Sequence, residues 1–143
     1  MKRRQQGFGM LDVLTGLLLT AVVGFVAVPG FNEMLEAYQL RSTANMIGFE
    51  IARARTQAAN EGRPVCLRVD GQQIELRMGT TSPDCGDGDP FALAQIPQRI
   101  TVDSAEVRFD GNGLATMRPP IAVHSATHSL TITTDVLGRV TIS

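Results

Sequence analysis

The chain predicts an α+β fold, one long N-terminal helix followed by an antiparallel β half. Three observations carry this. Between Val13 and Val28 every residue is apolar or small except Thr15 and Thr20. From Phe31 to about residue 61 apolar residues mostly recur at three- or four-residue steps, a helical period. From Pro64 onward short alternating segments are separated by Gly, Asp and Pro, the pattern of strands and turns.

The opening segment, "KRRQQGFGMLDVLTGLLLTAVVGFVAVP", begins with Lys2, Arg3 and Arg4 and then turns apolar. A bilayer core needs about 20 apolar residues in a helix. Residues 8–31 supply that length, with Asp12 as the sole charge. Positive charges precede the run, so the N-terminus is expected in the cytoplasm and the body outside the membrane. A cleaved secretory signal peptide fits less well. The run is too long for one, and Pro29 in "VAVPGF" stands where a small-residue cleavage site is wanted. A plain anchor leaves Asp12 unexplained. A carboxylate in hydrocarbon costs a few kcal/mol unless paired, which makes it a functional candidate.

The helical stripe beyond Pro29 is Phe31, Met34, Leu35, Tyr38, Ile47, Ile51, Ala54 and Ala58. Arg41, Glu50, Arg53 and Arg55 fall largely off it. Gly62 and Pro64 end the helix. A helix from Phe8 to about Glu61 would span roughly 80 Å. Its second half needs something to cover the stripe, and the C-terminal half of the chain is the candidate. There "PVCLRVD" and "QIELRM" flank Gly71-Gln72, a hairpin signal. "GTTSPDCGDGDP" reads as a loop. "RITVD", "AEVRFDGNG", "IAVHS", "SLTITTD" and "LGRVTIS" read as short strands, with Pro119-Pro120 at an edge or in a loop.

The net charge over 143 residues is −1. Without Lys2, Arg3 and Arg4 the thirteen cations fall to ten against fourteen acids, a net −4. A mildly acidic body argues against a broad phosphate-binding surface. Cys66 and Cys85 stand in no CxxC and no Cys/His cluster. In an exported body they read as a disulfide, in the cytosol as two thiols. Asp84, Asp87 and Asp89 of "DCGDGD" suit either a solvated turn or, at a spacing foreign to the EF-hand, calcium; the turn is the preferred reading and no metal site is assigned. His124 and His128 lack a third ligand in sequence and read as surface or turn residues. No Ser/His/Asp set, Gly-rich phosphate loop or paired-carboxylate motif stands out. No enzyme and no cofactor are expected.

Taken together, "RRQQGFGMLDVL" and "VAVPGF" resemble the N-terminus of type IV pilins and type II secretion pseudopilins. The resemblance implies cleavage by a prepilin peptidase between Gly7 and Phe8, then N-methylation of Phe8. It implies an acidic residue four positions after the new N-terminus, where this chain has Asp12 rather than the usual Glu, and a helix-kinking proline at Pro29. Asp12 lies one turn from the liberated amine and could pair with it, or with a neighbouring subunit's amine, in a helical bundle. "ARARTQAANEGRPVCL", "VRFDGNG" and "ITTDVLGRVTIS" further resemble the GspH/FimT group, which includes FimU-like minor pilins. The matching residues are Val65-Cys66, Phe109 to Gly113 and Gly138-Arg139-Val140.

The resemblance implies a pilin fold in four parts. Residues 1–7 are a leader, 8–30 a transmembrane or filament-core helix half, 31–62 an amphipathic helix half, and 63–143 a β-rich head. It implies a Cys66–Cys85 disulfide like that of FimU-like minor pilins, closing a 19-residue gap worth about 3 kcal/mol. It implies a subunit at or near the tip of a type IV pilus or a type II secretion pseudopilus. Its partners would be other major and minor subunits, the prepilin peptidase and the inner-membrane assembly platform. Its place would be the inner membrane and then the filament. Some FimT-like pilins bind DNA through a C-terminal Gly-Arg-x-Arg. Here Gly138-Arg139-Val140 matches and Thr141 replaces the second arginine. With an acidic body, a solvated strand end is the first reading of Arg139 and a DNA contact the alternative.

Overall fold

The structure, a computed structural model, describes residues 9–79, 85, 88 and 90–143, and for residues 25–30 the backbone alone. The Gly7-Phe8 step lies outside the described residues, as do Asp84, Asp87 and Asp89. One helix, α1 (Met10–Glu61), runs through two compact units, Met1–Leu35 and Glu36–Ser143.

In the first unit the helix is apolar on all sides and nothing described covers it. Leu11, Leu14 and Leu18 are as exposed as Val13, Leu17 and Val22. Its two threonines hide their polarity within the helix. Thr15 Oγ1 donates to the Leu11 and Asp12 carbonyls and Thr20 Oγ1 to the Gly16 carbonyl, so neither hydroxyl would enter an apolar medium unbonded. Among the described residues no helix is long and apolar enough to cross a membrane. The span expected over 8–30 extends past the described side chains at both ends. The kink expected at Pro29 falls where only a helical backbone is described.

In the second unit the helix is amphipathic. Leu40, Ala44, Ile47, Ile51, Ala54 and Ala58 are buried at three- and four-residue steps. The stripe starts later than its period suggested, since Phe31, Met34 and Tyr38 are more than three-fifths exposed. Period alone marks a side of a helix; burial needs a neighbouring element at that height. Glu50 departs the other way. It is buried, with Oε2 3.6 Å from Arg53 Nη1 one turn on. The helix ends as expected. Gly62 takes a left-handed φ of 62° and Arg63 N–H donates to the Ala58 carbonyl at 3.3 Å, the Schellman closure.

The β half forms two antiparallel sheets. The strands are β1 (Val65–Asp70), β2 (Gln73–Met78), β3 (Pro90–Gln95), β4 (Thr101–Val102), β5 (Ala105–Phe109), β6 (Ala115–Met117), β7 (Ile121–His124), β8 (Ser129–Thr134) and β9 (Val140–Ile142). One sheet has the order β3-β2-β1-β5-β6, the other β4-β7-β8-β9. The β1–β2 hairpin closes at Asp70↔Gln73 around Gly71, whose φ of 61° suits the first central position of a type II′ turn. Val65, Leu67 and Val69 on β1, Ile74 and Leu76 on β2 and Val107 and Phe109 on β5 join the helix stripe in one core with Ile121, Val123 and Ile132. β3 and β6 were not expected. Only Pro90 of "PFALAQ" fell within the expected loop and the rest was assigned no element, and "ATM" is too short to show a period.

Candidate assembly site

The first turn of α1 is closed by its own acid. Asp12 Oδ2 accepts the Gly9 N–H at 3.3 Å, and Asp12 N–H donates to the Gly9 carbonyl at 2.9 Å. A carboxylate here meets the unsatisfied amides and positive end of the helix dipole. Asp12 is exposed, so its carboxylate is open to a cation beside the Gly9 amide.

At the other end of the helix, three glycines allow two hairpins to press against it. A Cβ on Gly111 would sit 2.6 Å from the Gly62 carbonyl oxygen. Gly113, with φ 76°, leaves only 3.3 Å to Ala59 Cβ and the Arg55 carbonyl. Gly138, with φ 72°, would carry a Cβ 2.7 Å from Arg55 Cδ and 3.0 Å from Phe109 Cε1. The Phe109-to-Gly113 and Gly138-Arg139 matches thus fall on one cluster. Phe109 is buried there, and the Arg55 stem lies over both turn glycines. The two hairpins are also joined directly, Ala115 N–H donating to the Val136 carbonyl at 2.9 Å.

Arg139 sits in the turn between β8 and β9. Its Nε donates to Asp135 Oδ2 at 2.7 Å and its backbone N–H to Asp135 Oδ1 at 2.8 Å. These bonds, the backbone N–H first and the guanidinium second, hold the Asp135 carboxyl below its ordinary range. The Arg139 charge is therefore already matched, although its side chain remains exposed.

Cys66, on β1, is bridged to Cys85. On that face of the sheet Cys66 stands opposite Arg77 on β2 and Arg108 on β5. Each arginine pairs with an acid two residues away on its own strand, Arg77 with Glu75 and Arg108 with Glu106. Both cysteines are buried, so the bridge holds Cys85 against a face lined by matched charges. His124 and His128 do not form a common site. His124 Nε2 is 3.7 Å from Asp103 Oδ2, and His128 Nδ1 is 2.8 Å from Thr127 Oγ1. An open cavity of about 470 Å³ passes His128, Arg41 and Leu130. Among the described residues no group of three or more His, Cys, Asp or Glu could hold a metal ion.

The sequence marked Asp12, the cysteine pair and both hairpin glycines. It did not mark Arg55 as the side chain those glycines accommodate. Only its place opposite two positive-φ turns reveals that.

No protein-family model matches the chain. In sequence it is similar to type II secretion system protein H of Xanthomonas campestris pv. campestris, 29% identical over 72 residues. The match covers 50% of this chain and 43% of that protein, so the chain aligns with less than half of its relative's length. In structure it is similar to the type IV minor pilin FimU of Pseudomonas aeruginosa, with a TM-score of 0.61 at 14% identity over 77% of this chain and 92% of that one. The minor pseudopilin EpsH from the type II secretion system of Vibrio cholerae gives 0.56 at 7% identity, over 76% and 94%. In fold, then, the chain is similar to the minor pilin FimU and the minor pseudopilin EpsH, and over 72 residues its sequence is similar to a type II secretion system protein H.

Proposed function

We propose that the chain is a minor pilin or pseudopilin, a structural subunit that inserts its N-terminal helix at or near the tip of a type IV pilus or type II secretion pseudopilus and aids its assembly. The carrying observation is a helix exposed and apolar on every side, with an acid in its first turn, continuing into a head with the FimU fold. A helix apolar all round demands a membrane or a bundle of like helices. In this reading prepilin peptidase removes residues 1–7, Phe8 becomes the methylated N-terminus, and residues 8–30 hold the subunit in the inner membrane with the head in the periplasm. Asp12 then meets an amine, its own or a neighbour's, in the packed bundle. Other pilins and the assembly platform are its partners.

The Asp135–Arg139 pair favours this reading over a DNA-binding pilin, because a phosphate would have to displace a carboxylate already bonded twice to Arg139. Coexpression with prepilin peptidase and intact-mass measurement tests the proposal. The expected product begins at a methylated Phe8. A product still beginning at Met1 would overturn it.

A further inference from the structure

Helix and sheet part company at one end of the head. At Gly48 they touch: a Cβ there would lie 3.4 Å from Val140 Cγ1 on β9. Two turns earlier along α1, the open cavity of about 470 Å³ lies between the helix and strands β8 and β9. Its floor is apolar. Leu40 is buried, and Leu130 and Ile142 are partly buried against the core. Its rim is polar, with Arg41 and Asn45 on the helix and His128 and Ser129 beside the start of β8. An apolar floor of this size with a few polar groups around it is the usual form of a binding pocket. Arg53, Arg68, Arg77 and Arg139 each face an acid. Arg41 faces none among the described residues, and the Asn45 amide and Ser129 hydroxyl likewise have no hydrogen-bond partner there. Glu36, five residues before Arg41, is engaged elsewhere. Thr127 Oγ1 lies 3.4 Å from Glu36 Oε2 and 2.8 Å from His128 Nδ1. A carboxylate only accepts, so Thr127 donates to Glu36 and accepts from His128 Nδ1–H. This chain hooks the β7–β8 turn to the helix and holds the rim in place.

We propose that this cavity takes an extended segment of a partner protein in which an acidic residue stands beside large apolar ones. The apolar side chains fill the floor over Leu40, Leu130 and Ile142. The carboxylate meets Arg41 in a charge-assisted pair, the complement of a cation that no acid of the head neutralises. Asn45 offers both donor and acceptor, and so does Ser129, which suits the N–H and C=O groups of a peptide. A fatty acid has a carboxylate for Arg41 but no N–H for either of them, so the rim favours a peptide over an amphiphile. The site belongs to the head and does not rest on the filament reading.

The test uses the isotope-labelled full chain in phosphatidylcholine nanodiscs, titrated with the blocked peptide acetyl-Leu-Glu-Leu-amide and followed by amide NMR shifts. Saturable shifts are expected at Leu40, Arg41, Leu130 and Ile142. On the parent protein the neutral analogue acetyl-Leu-Gln-Leu-amide should bind about tenfold more weakly, the loss of one charge-assisted bond. Arg41→Gln should weaken the glutamate peptide by a similar factor and no longer tell the two peptides apart, which assigns the coupling to this pair. Arg41 is exposed, so the variant should keep the parent melting temperature by circular dichroism, and the two-peptide comparison on the parent stands without it. Absence of saturable shifts, shifts centred outside the cavity, or equal binding of the two peptides by the parent would overturn the proposal. So would octanoate saturating the same residues at lower concentration than the peptide, which would mark an amphiphile site. None of these readouts depends on leader processing, so this idea and the filament reading can fail separately.

Discussion

At the scale of single residues, Gly138 shows how a turn residue is fixed from two directions. Its φ of 72° disfavours any side chain, and the space beside it is already held by Arg55 Cδ and Phe109 Cε1. Gly138→Ala is expected to lower the unfolding free energy of the protein by about 2 kcal/mol, part backbone strain and part crowding. Denaturant titration measures the total. Adding Arg55→Ala should recover the crowding due to the arginine stem and leave the strain and the close approach to Phe109. A glycine at this position was legible in the sequence as a turn. Its pressure on Arg55 was not, since the two lie far apart along the chain and meet only when β8–β9 closes beside the helix.

At the scale of elements, the β half depends on a pairing that hydrophobic period reveals unevenly. β1, β2, β5 and β8 alternate clearly and were expected. β3 follows a Gly- and Asp-rich stretch, and its run of alanine and leucine carries almost no alternation. Its strand identity comes from β2, which offers it a ladder. Cys85, between β2 and β3, is bridged to Cys66 on β1 across a 19-residue separation. Reducing that bridge should cost about 3 kcal/mol of unfolding free energy, mainly by freeing the unfolded chain. Equilibrium denaturation with and without reductant provides the comparison, and an unchanged midpoint would show that the bridge adds nothing. The helix teaches a related lesson. Its period continued from Phe31 to Ala58, yet burial begins at Leu40.

At the scale of the whole molecule, one helix serves two environments. Around Ile47 and Ile51 it is part of a folded core. Around Leu14 and Leu18 it exposes apolar side chains on all sides and waits for a different solvent. Asp12 belongs to that second environment. In the isolated chain it accepts the Gly9 amide; in the proposed bundle it neutralises an amine. Asp12→Ala should therefore leave the thermal stability of the head unchanged while sharply reducing subunit incorporation into filaments, read by immunoblot of sheared filament fractions. Incorporation at the parent level would remove the electrostatic role assigned to Asp12.

The sequence by itself determined the long helix, its glycine stop, the alternating strands beyond it and the acid near its start. Each is a local property, set by apolar spacing within a few residues or by the conformational freedom of one glycine. The tertiary structure alone decided which part of the helical stripe is covered, that Glu50 is buried, that Arg139 is matched by Asp135, and that β3 pairs with β2 at the end of its sheet among the described strands. Those outcomes depend on which strand lies beside which. That is a matter of long-range pairing and packing, and the period of a single segment carries no record of its neighbour.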